Sequence, residues 1–140
     1  MHTVHLPTSS KNGVKYAAVG ILFSTTDYWK EGVTDALVNT IDSFFDSLQW
    51  TQNKANPVVP LVPFGDLMMK MDTENRWIYK GSVTTPPCDT YVYWNVLQRV
   101  YPIKQKHLDL FEQQLARGGL DMIGNYRATQ LIDKHNPFLI

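Results

Sequence analysis

Three stretches of the chain have the apolar patterning of β-strands. Residues 14–23 form a short, continuous apolar run, which is typical of a buried strand, and Gly20 within it allows a neighbouring backbone to approach closely. Residues 76–79 and 90–97 alternate in the manner of strands, so that successive side chains point to opposite faces of a sheet. The residues that share one face of the last stretch are Val92, Trp94 and Val96.

Two further stretches repeat their apolar residues with the period of an α-helix. In residues 32–48 the predicted apolar face consists of Val33, Leu37, Ile41, Phe44 and Leu48. In residues 104–115 the predicted buried face consists of Leu108, Phe111 and Leu115. Residues 51–66 contain three prolines and a glycine, which is the chemistry of a loop and marks no domain boundary. Together, the strands, the helices and the long irregular connections predict an α+β domain built on one large sheet.

The composition narrows the classes of partner. Lys plus Arg and Asp plus Glu both number 13 in the 140 residues, so no excess of charge favours a nucleic acid or an anionic membrane. No apolar run approaches the length of a membrane span. Residues 1–7 lack the basic start and the apolar core of a signal peptide, which taken alone indicates a cytosolic protein.

Residues 81–88, Gly-Ser-Val-Thr-Thr-Pro-Pro-Cys, carry the most information about function. Pro86 and Pro87 each fix their own φ, and Pro86 also pushes Thr85 toward an extended conformation. The hydroxyls of Thr84 and Thr85 are therefore presented rigidly, as suits a site that holds a small polar ligand in one orientation. An ordinary surface turn is the alternative, because Thr-Pro-Pro segments are common in loops.

The histidines are the candidate metal ligands. His2 and His5 are three residues apart, which on a helix could face one metal, but in a strand the two side chains point to opposite faces. At most one of them then joins a given site, and a strand histidine without a metal is the alternative. His107 lies in the second predicted helix and His135 in the tail, and both are predicted to be solvated.

The run from Tyr79 to Cys88, followed by Trp94, resembles the signature of the α-class carbonic anhydrases. Three other segments resemble elements of that family in family order, namely residues 1–5, 17–23 and 125–130. The resemblance implies a mainly β fold with one large, mostly antiparallel central sheet and peripheral helices. The family's His-x-His strand lies upstream of a position equivalent to Met1, so the sheet is expected to be incomplete at its N-terminal side. Residues 1–140 are expected to form the C-terminal part of a single α-carbonic anhydrase domain.

The resemblance implies a Zn²⁺ cofactor with His2 as the third zinc-binding histidine. A catalytic zinc needs three protein ligands and an open position for water. The other two ligands and a buried carboxylate are expected upstream of Met1, so one-third of the metal site lies in this chain. Thr84 is implied as the catalytic residue, whose hydroxyl accepts a hydrogen bond from zinc-bound hydroxide and so aims that hydroxide at CO₂. Thr85 is implied to place a second hydroxyl near bicarbonate.

The resemblance also implies an apolar wall where CO₂ binds, since a nonpolar substrate needs little else. The substrate-binding residues that it implies are Val4, Ala18, Val83, Val92 and Trp94. Plain core packing is the alternative for each of them, because a core and a pocket wall look alike in a sequence.

The function implied by the resemblance is that of a zinc-dependent carbonate dehydratase, a lyase that reversibly hydrates CO₂ to bicarbonate and a proton. This expectation applies to the intact parent, whereas the 140-residue chain is expected to be inactive alone. The alternative is a carbonic-anhydrase-like domain without catalysis, which serves as a binding or structural module, or a degenerate fragment.

Cys88 is the one cysteine of the chain. Its place directly after Thr-Thr-Pro-Pro resembles secreted and periplasmic carbonic anhydrases, in which it pairs with a cysteine near the N-terminus. The resemblance implies such a disulfide to the missing N-terminal part, and a secreted, periplasmic or extracellular location for the intact parent. A small buried hydrophobic side chain is the alternative interpretation.

Overall fold

The structure of the chain is a computed structural model, and it describes residues 1–9, 15–50, 58–119, 124, 126–130 and 138–139. In these residues the chain forms five strands and three helices. In chain order they are β1 (His2–His5), β2 (Tyr16–Ser24), α1 (Asp35–Ser47), α2 (Phe64–Met68), β3 (Arg76–Ser82), β4 (Thr90–Pro102), α3 (Gln105–Arg117) and β5 (Phe138–Leu139). None of the helices in these ranges is long and apolar enough to cross a membrane.

The strands form one sheet in the order β1-β2-β4-β3-β5. The pairs β1–β2, β3–β4 and β3–β5 are antiparallel. Strands β2 and β4 run in the same direction, because the amide of Lys15 donates to the carbonyl of Tyr91 at 3.2 Å while Gly20 lies beside Val96 further along both strands. The expected fold, a mostly antiparallel sheet with peripheral helices, is therefore confirmed.

The chain divides into two compact units, of which the first contains Met1–Leu22, Asp72–Val100 and Tyr126–Ile140. Its core is formed by Ala18, Val92 and Trp94, which are at most 5% exposed. The partly buried side chains packed against this cluster are Tyr16, Tyr79, Val83 and Val96. The alternation predicted for residues 90–97 thus gives the face that the first unit buries.

The second unit contains Phe23–Met71 and Tyr101–Asn125. Helix α1 begins after Thr34, whose Oγ1 accepts a hydrogen bond from the amide of Leu37 at 3.2 Å and so satisfies one of the free donors of the first turn. The buried residues of α1 are Leu37, Ile41, Phe44 and Phe45. Helix α2 was not expected, since residues 51–66 were predicted as a loop from their prolines.

Helix α3 confirms the helix predicted over residues 104–115, but its buried side chain is not one of those expected. Leu108, Phe111 and Leu115 are partly buried, whereas His107 is 0% exposed, so the prediction that His107 is solvated is wrong. The reason is a partner on α1, because His107 Nε2 donates to the Asp42 carboxylate at 3.0 Å. This hydrogen bond offsets the cost of burying the ring. His135 lies outside the described residues.

Candidate functional site

One face of the sheet in the first unit carries most of the residues that the sequence singled out. In the β1–β2 register, Val4 lies opposite Ala18 and His2 lies opposite Gly20. Residues directly opposite each other in an antiparallel pair share a face. The ring centroids of His2 and Trp94 are 4.7 Å apart and the rings meet edge to face. The structure therefore brings His2 together with the apolar cluster around Trp94.

Two effects shift the pKa of the His2 imidazole in the same direction. Partial burial, and then the charge of the N-terminal ammonium, lower the pKa of His2 below its usual value. The neutral ring is the form that binds a metal. His5 shares the opposite face with Thr3, whose Oγ1 is 3.1 Å from His5 Nε2. The alternation expected of a strand thus separates the two histidines, as predicted.

The five residues predicted to form an apolar wall differ in exposure. Ala18, Val92 and Trp94 are buried at 1%, 2% and 5%, and they act as core side chains in this structure. Val83 is half-buried at the edge of the same cluster, and Val4 is 63% exposed. The five residues are thus grouped at one face, while their contact with CO₂ stays a prediction.

The two threonines lie in a closed segment, Val83–Asp89, called here the threonine loop. The amide of Val83 donates to the carbonyl of Asp89 at 2.8 Å, and the amide of Cys88 donates to the carbonyl of Thr85 at 2.8 Å. Thr84 is half-buried and Thr85 is exposed. Among the residues that the structure describes, the Thr84 hydroxyl makes no hydrogen bond. The loop therefore holds Thr84 in place and leaves its hydroxyl available to a ligand.

The start of the threonine loop is held from two sides. The indole Nε1 of Trp94 donates to the carbonyl of Ser82 at 3.1 Å. From the other side Arg127 donates through Nη1 to Ser82 Oγ and, at 3.4 Å, to the carbonyl of Val83. Sequence reasoning noted Arg127 within the family-like segment 125–130 but gave it no role. The sequence feature that pointed to Arg127 was its place in that segment, but its hydrogen-bond partners can be identified only from the folded structure.

A complete zinc site does not occur in the described part of the chain. No group of three His, Cys, Asp or Glu side chains there could hold a metal ion. His2 alone falls short of the three protein ligands that a catalytic zinc requires. The described residues therefore do not fit the whole metal site, and no chemical step through zinc follows from them.

Comparison with known proteins gives the family. The family described as eukaryotic-type carbonic anhydrase matches residues 1–136, and the chain belongs to this family. Human carbonic anhydrase 12 is 32% identical over 100 residues, an alignment that covers 66% of this chain and 28% of that protein. Alpha carbonic anhydrase 3 of Arabidopsis thaliana is 25% identical over 141 residues, which covers 99% of this chain and 44% of that protein.

The fold of this chain is similar to that of a solved structure. It is the complex of α-carbonic anhydrase from Thermovibrio ammonificans with the inhibitor sulfanilamide, at a TM-score of 0.62 and 19% identity, covering 97% of this chain and 51% of that chain. The chain thus spans less than half the length of the two curated relatives and about half of that solved structure.

Proposed function

We propose that residues 1–140 form the C-terminal part of a single α-carbonic anhydrase domain, whose intact parent reversibly hydrates CO₂ to bicarbonate and a proton. The observation that carries this proposal is the grouping of His2, Trp94 and the apolar cluster on one face of the sheet. The family match over residues 1–136 supports it independently.

In this proposal His2 supplies one ligand to a zinc ion whose other ligands lie outside the described residues. A zinc ion bound there would make hydroxide available near neutral pH. In this proposal the described residues bind CO₂ and orient the reacting oxygen. The wall of Val4, Ala18, Val83, Val92 and Trp94 would accept the nonpolar substrate. The apolar cluster of Ala18, Val92 and Trp94, with Val83 packed against it, supports that role.

Thr84 is proposed as the residue that orients the reacting oxygen. A threonine hydroxyl can accept one hydrogen bond and donate another, so it can fix the direction of a neighbouring lone pair. Thr84 supports this role because its hydroxyl is free of the other described residues and its backbone is held by the closed loop. Thr85, the more exposed of the two, is proposed to contact bicarbonate.

Cys88 is proposed to form a disulfide in the intact parent, with a cysteine outside this chain. Cys88 is free and partly buried here. Disulfides persist in oxidising compartments, so the proposal includes a secreted, periplasmic or extracellular location.

The number of metal-binding side chains among the described residues is the reason for a second candidate function. Because the described residues offer no set of three metal ligands, a carbonic-anhydrase-like binding or structural module without catalysis is the alternative. Stopped-flow CO₂ hydration by the full-length protein, purified with zinc, separates the two. Sulfonamide-inhibitable hydration supports the enzyme, and zinc-free protein without hydration supports the module.

A further inference from the structure

Arg127 connects two segments that are far apart in the sequence. Its Nη1 donates to the hydroxyl of Ser82 and to the carbonyl of Val83, and its Nη2 donates to Gln130 Oε1 at 3.2 Å. Gln130 is itself held, because its Nε2 donates to the carbonyl of Ala128 at 2.9 Å. The guanidinium is therefore fixed at both ends, with Ser82 and Val83 on one side and its own segment on the other.

The chemistry of the guanidinium makes this contact stiffer than a single hydrogen bond. A planar group with several donors in a fixed fork loses little freedom for each further bond that it forms. Hydrogen bonds from a charged donor are also about twice as strong as those between neutral groups. Thr84 follows Val83 directly, so a shift of the Val83 carbonyl moves the Thr84 hydroxyl.

We propose that Arg127 is a positioning residue, which fixes the Thr84 hydroxyl by holding the backbone at Ser82 and Val83. The catalytic part of this inference rests on the proposed function, in which Thr84 orients the reacting oxygen. The structural part does not, because it concerns only the position of the threonine loop.

A double-mutant cycle on the full-length protein tests the catalytic part. Arg127→Gln should lower kcat/KM about 10-fold, the scale of one charge-assisted hydrogen bond, with the zinc content unchanged. In a Thr84→Ala background the same change should have less than about a 2-fold effect, because Arg127 acts through Thr84. Full additivity of the two changes, or no effect of Arg127→Gln alone, would overturn the proposal.

Arg76→Gln is the matched control. Arg76 also braces a strand end, since it donates to Asn95 Oδ1 at 3.1 Å and to the carbonyl of Thr73 at 2.7 Å, but it does so at the opposite end of β3. It should leave kcat/KM within about 2-fold of the parent. An equal loss of kcat/KM in both variants would show a general effect on stability and overturn the specific role.

Amide hydrogen exchange on the 140-residue chain tests the structural part without any activity. Arg127→Gln should speed exchange of the Val83 and Cys88 amides, which close the threonine loop, by about 10-fold or more. Arg76→Gln should leave them unchanged. If the glutamine variant does not fold, Arg127→Lys, which keeps the charge but loses the fork, should give a smaller change in the same direction. Unchanged exchange rates at both amides would refute the proposal that Arg127 holds the threonine loop, whether or not the full-length protein hydrates CO₂.

Discussion

The buried pair of His107 and Asp42 gives a prediction that needs no catalysis. His107 Nε2 donates to the Asp42 carboxylate at 3.0 Å, and Lys104 Nζ also pairs with that carboxylate. The side chain of His107 is 0% exposed, and its Nδ1 already lacks a hydrogen bond among the described residues. Asp42→Ala would leave both ring nitrogens of a buried imidazole without a hydrogen-bond partner.

The expected cost can be built from separate contributions. A buried polar group that loses its partner costs about 1–3 kcal/mol. The Lys104 pair adds at most about 1 kcal/mol, since the lysine side chain is 54% exposed. Alanine has a higher helix propensity than aspartate, which raises the free energy of unfolding by roughly 0.5 kcal/mol. The net loss of unfolding free energy should be about 2 kcal/mol, or roughly 6 °C in Tm for a chain of this size.

Asp46→Ala is the matched control, one turn further along α1. The side chain of Asp46 is 58% exposed. Its carboxylate pairs with Lys106 at 3.2 Å and lies 3.9 Å from His107 Nδ1, which is beyond hydrogen-bond distance. Its removal near the C-terminal end of the helix should change stability by less than about 0.5 kcal/mol, because exposed pairs contribute little and an acid is unfavourable there. Urea unfolding of the 140-residue chain measures both variants. Equal losses in the two variants, or no loss for Asp42→Ala, would refute the argument.

The same pair predicts a dependence on pH. Burial alone would raise the pKa of Asp42, but the hydrogen bonds from Lys104 and His107 and the charges of Lys104 and Lys106 outweigh it, so the pKa lies below its usual value. A carboxylate with a lowered folded pKa stabilises the protein above its unfolded pKa of about 3.9, and that stabilisation is lost as the pH falls through the folded pKa. The difference between the parent and Asp42→Ala should therefore narrow below about pH 4. A constant difference down to about pH 2 would contradict the assigned charge.

Three other predictions concern the first unit. Thr84→Ala in the full-length protein should leave zinc bound and cost about 2 kcal/mol or more of transition-state stabilisation, and Thr85→Ala should cost less. Equal rates of CO₂ hydration for the Thr84 variant and the parent, measured by stopped flow, would refute the role proposed for Thr84. Cys88 should be disulfide-bonded in full-length protein from its native compartment, and a free thiol by non-reducing mass spectrometry would refute both the bridge and the location. Gly81→Ala should destabilise the chain by about 1–3 kcal/mol, because its Cβ would lie 3.1 Å from Trp94 Cδ1, and an unchanged urea midpoint would show that the indole can move aside.

The parts of the fold that the sequence predicted are those with a local period. The apolar run at residues 14–23, the alternation at 90–97 and the helical repeat at 32–48 each correspond to an element, with bounds shifted by a few residues. The resemblance to a family implied that His2 and Trp94 belong to one site, and the alternation of a strand predicted that His2 and His5 lie on opposite faces.

The parts that the sequence did not predict depend on contacts between distant residues. His107 was expected in solvent because nothing near it in the sequence is a partner, and Asp42 is 65 residues away. The partner of Arg127 is also distant in the sequence, since Ser82 precedes it by 45 residues. Helix α2 was missed because the prolines around it favour a loop locally. No periodic pattern in the sequence predicts such pairs, so they are seen only in the folded structure of each unit.

The central claim is tested most directly by stopped-flow CO₂ hydration with the full-length protein and the 140-residue chain, both purified in the presence of zinc. The account predicts sulfonamide-inhibitable hydration by the full-length protein and none by the chain, since His2 is the one zinc ligand proposed for this chain and one imidazole does not hold a stable zinc site. Sulfonamide-inhibitable hydration by the 140-residue chain with one zinc bound, or no hydration by the zinc-loaded full-length protein, would contradict the account.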